Sequence, residues 1–322
     1  MYKLPPVDAA DAGPDDGAEP DAYGPVGHSD WLDVDWSEHQ RWVRVEGRWV
    51  NVVELGSGPP VLLIHGLSCW QSWLENICFF ARDHRVIAMD LPGFGASQAP
   101  AEPISISGYA RMLDALCDEL GVACAAVVGN SMGGFIGAEL AIRFPARVER
   151  LCLAPAIGLN MEHVRQERRR TIGNRVENVL FFGLAWLSVR SDLPVRRAGL
   201  REKLLKLIVA HPERLPGALV LQVIRATGRA SGFAAAIDAI TRYPIRDRLG
   251  EIACPTLIIW GADDRLVPVS DATELEWLIP NSRKLIYDET GHLPMLERPA
   301  RFNADLRAFL DDGPPARTRR RA

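Results

Sequence analysis

Four short segments constrain this chain more than anything else in it. Pro60–Ile64, Arg85–Met89, Ala123–Gly129 and Val148–Ala154 are near-continuous apolar runs, and Thr256–Trp260 and Arg283–Tyr287 return to strand character later. A strand with one wet face alternates apolar and polar residues, whereas a strand covered on both faces is apolar throughout. Helical patterns stand between the runs, the clearest being Met132–Phe144, closed by Pro145. Strand and helix alternating in this way specify a parallel sheet with helices on both faces, the α/β class. Ahead of them, Arg41–Val45 and Arg48–Glu54 flank Glu46-Gly47 and read as an antiparallel hairpin.

At 322 residues the chain is long enough for one large α/β domain with an insertion. From 158 to 240 the alternation stops and helical pattern takes over; residues 158–252 carry 17 Lys and Arg against 9 Asp and Glu. A core of residues 41–157 and 241–312 is therefore expected, with 158–240 as a helical cap. Ligands of such sheets bind outside the carboxyl ends of the strands, which is where a cap would lie. Residues 1–40 are rich in Asp, Pro and Gly, with Lys3 their only Lys or Arg. They bury too little apolar surface to offset ordering entropy, so a mostly disordered tail is expected, from which Trp31 and Trp36 can still dock. Residues 313–322 form a basic tail.

A net charge of −4 excludes a chain built as a whole to hold nucleic acid. No apolar run reaches the roughly 18 residues of a membrane span. The amino terminus has no basic-then-apolar leader, and the six cysteines are scattered without metal-ligand spacing. A cytoplasmic, reducing location is the expectation.

The chemistry begins at Gly129-Asn130-Ser131-Met132-Gly133, which fits G-x-S-x-G between a strand and a helix. A tight strand-to-helix turn strains its central residue and tolerates only small neighbours two positions away, hence Gly129 and Gly133. Ser131 is thereby thrust out at the positive end of a helix. A serine hydroxyl needs a base. Of seven histidines, His28 and His39 lie in the acidic zone, His163 and His211 in the insertion, and His84 before a strand at the wrong end of the sheet. His65 belongs to a loop and is expected to hydrogen-bond within it. His292 follows the last strand, at the carboxyl edge shared with Ser131, and is the expected base. The imidazole needs a carboxylate to hold one tautomer. Asp264, just past Thr256–Trp260, is favoured over its neighbour Asp263. Donors for a developing oxyanion are expected from the backbone N–H groups of Met132 and Leu67.

Together His65-Gly66, Asp90–Ser97, Gly129–Gly133, Trp260–Pro268 and Gly291–Pro294 resemble the α/β-hydrolase superfamily over roughly residues 45–312. The resemblance implies a mostly parallel eight-stranded sheet flanked by helices, a Ser-Asp-His triad, and neither metal nor cofactor. This chain departs from some members in instructive ways. One glycine follows His65 where certain lipases carry a glycine run, which argues against bulky tertiary esters. Ser131 stands where epoxide hydrolases and haloalkane dehalogenases place an aspartate, which disfavours those activities.

Trp70, Trp73, Phe181, Phe182 and Trp186 are candidates for an apolar substrate pocket. The expected activity is hydrolysis of a carboxylic ester with an apolar or lipid-like acyl group; the cap's arginines also suit an anionic membrane surface. The alternatives are a carbon–carbon hydrolase of 2-hydroxy-6-oxo-dienoates, a cofactor-free perhydrolase or haloperoxidase, and a ligand-binding receptor on the same scaffold. Oligomeric state is not legible.

Overall fold

A computed structural model describes residues 21–156, Leu159, 205–227 and 231–312. Its strands are β1 (Gln40–Val45), β2 (Arg48–Leu55), β3 (Pro60–Ile64), β4 (Arg85–Met89), β5 (Ala125–Ser131), β6 (Val148–Ala156), β7 (Thr256–Gly261) and β8 (Ser282–Tyr287). They form one eight-stranded sheet in the order β1-β2-β4-β3-β5-β6-β7-β8. The β1–β2 hairpin is antiparallel and joins β4 antiparallel; every other pairing is parallel.

The described helices are α1 (Trp36–His39), α2 (Leu74–Phe80), α3 (Ile106–Glu119), α4 (Met132–Arg143), α5 (Gly217–Thr227), α6 (Phe233–Arg242), α7 (Ser270–Leu278), α8 (Pro294–Glu297) and α9 (Pro299–Asp311). The apolar runs are strands because both their faces are covered. In β3, Leu62 and Ile64 pack into the layer holding α3 and α4, while Val61 and Leu63 pack into the layer holding α2 and α9. Ile258 and Trp260 of β7 divide from Leu257 and Ile259 in the same way. Each fully buried aliphatic side chain contributes about 1.5–3 kcal/mol against exposure. Two opposed core layers therefore hold the central strands rigid at their carboxyl ends.

α3 shows how local sequence builds an element. Ser105 caps it, its hydroxyl accepting from the Gly108 N–H at 3.1 Å. Ile106, Tyr109, Ala110, Leu113, Leu116 and Cys117 then recur at helical spacing and are buried.

The expectation of a mostly disordered tail through residue 40 is corrected for residues 21–39. Trp31 and Trp36 are buried, Trp31 Nε1 donates to Glu75 Oε1 at 2.6 Å, and Trp36 lies against Trp70 with ring centroids 5.0 Å apart. Two indoles supply the apolar area that the acidic composition suggested was missing. Between β6 and β7 the described residues hold α5, α6 and the turns Pro212–Arg214 and Arg246–Glu251. His163, Phe181, Phe182 and Trp186 lie outside the described residues, as does the basic C-terminal tail. Among the described residues no helix is long and apolar enough to cross a membrane.

Candidate active site

β5 ends in Ser131 and α4 starts at Met132, so the chain reverses direction within one residue. Ser131 pays for this conformationally: its φ of +58° and ψ of −124° lie where side-chain-bearing residues are rarely found, at a cost of about 1–3 kcal/mol. Close approach explains the two glycines. A Cβ on Gly129 would lie 2.3 Å from the Gly133 carbonyl oxygen, and one on Gly133 would lie 2.2 Å from that of Ile64. The loop after β3 abuts the serine, since a Cβ on Gly66 would stand 3.1 Å from Ser131 Oγ. Leu67 is the next residue of that loop, and Met132 opens the helix whose first N–H groups have no intrahelical partner.

His292 follows β8 and Asp264 follows β7, neighbouring parallel strands, so both emerge at the same carboxyl edge as Ser131. His292 Nδ1 lies 2.8 Å from Asp264 Oδ2, and both side chains are buried. The other carboxylate oxygen, Oδ1, accepts from the Leu266 and Val267 N–H groups at 2.8 and 2.9 Å. Asp264 is thus oriented by its own turn before it meets the imidazole. Asp263 is exposed, which separates the two acids that the sequence left adjacent. Asn130 Nδ2 donates to the His292 carbonyl oxygen at 3.2 Å and ties the histidine loop to the end of β5.

His65 has a different function. Its Nδ1 lies 2.8 Å from the Gly66 carbonyl oxygen, and its Nε2 accepts from the Leu91 N–H at 2.9 Å. This requires the neutral Nδ1–H tautomer, which joins the loops after β3 and β4. Burial pulls its pKa below the ordinary 6.5, against the raising influence of Asp90 and the bond to Gly66. An unfolded His65 takes up a proton near pH 6.5 while the folded one stays neutral, so its stabilisation is present above that pH and is lost as pH falls below it. The gap in melting temperature between the wild type and His65→Gln is expected to be widest above about pH 6.5 and to narrow below it. Thermal melts from pH 5 to 8 check this, and a constant gap contradicts it.

Trp70 and Trp73 open and close the turn that follows the loop after β3. Both are buried in the layer with α2 and α9, Trp70 against Trp36 and Trp73 tilted on Phe302 at 6.3 Å between ring centroids. Leu219 of α5 joins the same cluster. His84 pairs with Asp83 at 2.8 Å ahead of β4, away from Ser131. Sequence reasoning passed over Asn130 and Glu297. Asn130 sat inside a quoted motif, and Glu297 is the acid that ends the otherwise apolar helix Pro294–Glu297 after His292.

The architecture defines the class. A family model described as alpha/beta hydrolase fold matches residues 59–299, and the chain belongs to that family. It is 30% identical over 275 residues to the 2-hydroxy-6-oxo-6-phenylhexa-2,4-dienoate hydrolase of Comamonas testosteroni, covering 81% of this chain and 91% of that one. A solved membrane phospholipase A, described as a bacterial virulence factor, superposes with a TM-score of 0.70 at 29% identity, over 87% of this chain and 90% of its own. An N-acyl homoserine lactone degrading enzyme superposes with a TM-score of 0.64 at 27% identity, over 84% and 100% respectively. The chain is a hydrolase.

Proposed function

We propose that the chain cleaves a carboxylic ester with an apolar or lipid-like acyl group, through an acyl-enzyme on Ser131. One observation carries the reading: a buried Asp264–His292 pair at 2.8 Å stands at the sheet edge where the strained Ser131 is presented. Asp264 accepts a hydrogen bond from the Nδ1–H of His292, which leaves Nε2 as the basic nitrogen. Ser131 Oγ attacks the carbonyl carbon and its proton passes to Nε2. The carbonyl oxygen becomes an oxyanion held by the Leu67 and Met132 N–H groups, each such donor lowering the barrier by about 3 kcal/mol. The alkoxide leaves with the proton from His292. Water then attacks the acyl carbon by the same route and frees Ser131. These steps use neither metal nor organic cofactor.

A second reading, hydrolysis of the carbon–carbon bond of a 2-hydroxy-6-oxo-dienoate, is favoured by the similarity to the Comamonas testosteroni hydrolase. The same three side chains serve it, so substrate decides. The test compares p-nitrophenyl esters of graded acyl length with such a dienoate. Higher kcat/KM on the esters, peaking at one acyl length, is the expected result. A dienoate rate exceeding every ester by a factor of about 100, a difference near 2.7 kcal/mol, overturns the ester reading.

A further inference from the structure

We propose that Glu297, closed over by Tyr23, is the positioning group that fixes the His292 loop against the inserted segment and keeps the imidazole aligned on Asp264. The proposal rests on the reading of His292 as the base, and it is argued from where four hydrogen-bond donors come from.

The Glu297 side chain is fully buried. Its Oε2 accepts from the Gly291 N–H at 2.8 Å, the Ala210 N–H at 2.8 Å and the Tyr23 hydroxyl at 2.7 Å, and its Oε1 accepts from the Leu293 N–H at 3.0 Å. Gly291 and Leu293 flank His292, so one carboxylate grips the loop on both sides of the imidazole. The remaining backbone groups of His292 face elsewhere: its N–H donates to the Ile208 carbonyl oxygen at 2.7 Å, and its carbonyl accepts from Asn130. Residues 208–210 therefore bond to the histidine loop directly through Ile208 and through Glu297 by way of Ala210. A Cβ on Gly291 would lie 2.8 Å from the Ile208 oxygen, so the two segments are in van der Waals contact with no room to slide. A shift of the inserted segment must either carry His292 with it or break these bonds.

Tyr23 completes the arrangement from a third part of the chain. Its hydroxyl donates to Glu297 and accepts from the His211 N–H at 2.9 Å, and the Gly24 N–H donates to the Glu297 carbonyl oxygen at 2.6 Å. Arg214 and Arg298 lie over the Tyr23 ring, at 4.7 and 5.1 Å from its centroid. Burial pushes the Glu297 carboxyl above its ordinary range, and the four donors oppose that rise. A purely structural plug at this position would need no charge; an apolar side chain fills such a space without the desolvation cost. What a carboxylate alone supplies is simultaneous acceptance from donors on both sides of His292.

The test uses the full chain with Glu297→Gln and Tyr23→Phe. Three quantities are read: kcat and KM on the best p-nitrophenyl ester, the rate of fluorophosphonate labelling at Ser131, and the low-field proton resonance of the His292–Asp264 hydrogen bond. Misplacing a catalytic group by an ångström costs about 100-fold, so Glu297→Gln is expected to lower kcat and labelling about that much with KM within a factor of about three. Tyr23→Phe removes one donor of four and should lower both about fivefold, with the resonance shifted or broadened. Variants that melt earlier but label at the wild-type rate with an unchanged resonance overturn the proposal. If Glu297→Gln does not fold, Tyr23→Phe decides alone, and wild-type labelling by that variant overturns it. A wild type that neither labels nor hydrolyses any ester removes the reading of Ser131 instead; the resonance in the two variants then still decides whether Glu297 positions His292.

Discussion

Replacing Ser131 by alanine is expected to remove about six orders of magnitude of turnover, the scale seen when a serine nucleophile is lost from a complete triad. The fold should survive. Alanine keeps the Cβ that the backbone already accommodates at a φ of +58°, so the change in stability should stay within about 1 kcal/mol. Among the described residues, the polar side chains beside it are committed elsewhere: Asn130 to the His292 carbonyl, and His65 between Gly66 and Leu91. The check is twofold: intact-mass spectra after fluorophosphonate treatment, and a melting curve beside the wild type. An alanine variant that still takes up the label excludes Ser131 as nucleophile.

The second large effect is at Asp264. Asparagine is the informative substitution because Oδ1 can go on accepting from the Leu266 and Val267 N–H groups, so the turn is retained. The other position of the side chain then presents an NH2 to His292 Nδ1 where the carboxylate Oδ2 stood at 2.8 Å. A donor facing a donor drives the imidazole into the opposite tautomer, with the hydrogen on the nitrogen that should take the Ser131 proton. Turnover is expected to fall about 10⁴-fold with KM little changed. Alanine would confuse the result by leaving two buried N–H groups unpaired. A loss of less than about tenfold in kcat for Asp264→Asn would show that His292 is held by something else.

Strand positions were legible because their cause is local. Pro60–Ile64 and Arg85–Met89 are strands over the spans read from their apolar runs. The strand–helix turn at Ser131 was equally legible, because its two glycines record a steric requirement within five residues of chain. The chain order Ser131, Asp264, His292 could be read because parallel strands deliver their carboxyl ends to one edge. Composition misled where it was averaged. The acidic segment before β1 carries too many carboxylates to predict order, yet Trp31 and Trp36 bury themselves in the core and Tyr23 bonds Glu297, with Glu75 on α2 receiving the Trp31 N–H. Trp70 and Trp73 show the limit of residue type as a guide, since an aromatic beside a site is as readily a core residue as a ligand contact.

The amino-acid sequence by itself determined the α/β class, the sheet's apolar strands and the three residue types that belong together at their carboxyl ends. These follow from periodicity, backbone sterics and the demand of a hydroxyl for a base, all of which act over a few neighbouring residues. Packing supplied the rest: the 2.8 Å contact that joins the favoured Asp264 to His292, the Asn130 brace on the histidine carbonyl, and the meeting of Glu297 with Ala210 and Tyr23. Those contacts depend on which way side chains 28 to 274 positions apart in the chain point once the strands are packed. Hydrogen bonds across such separations leave no periodic trace in sequence, because each joins single polar groups (an imidazole, an amide, a hydroxyl) brought into range by packing alone.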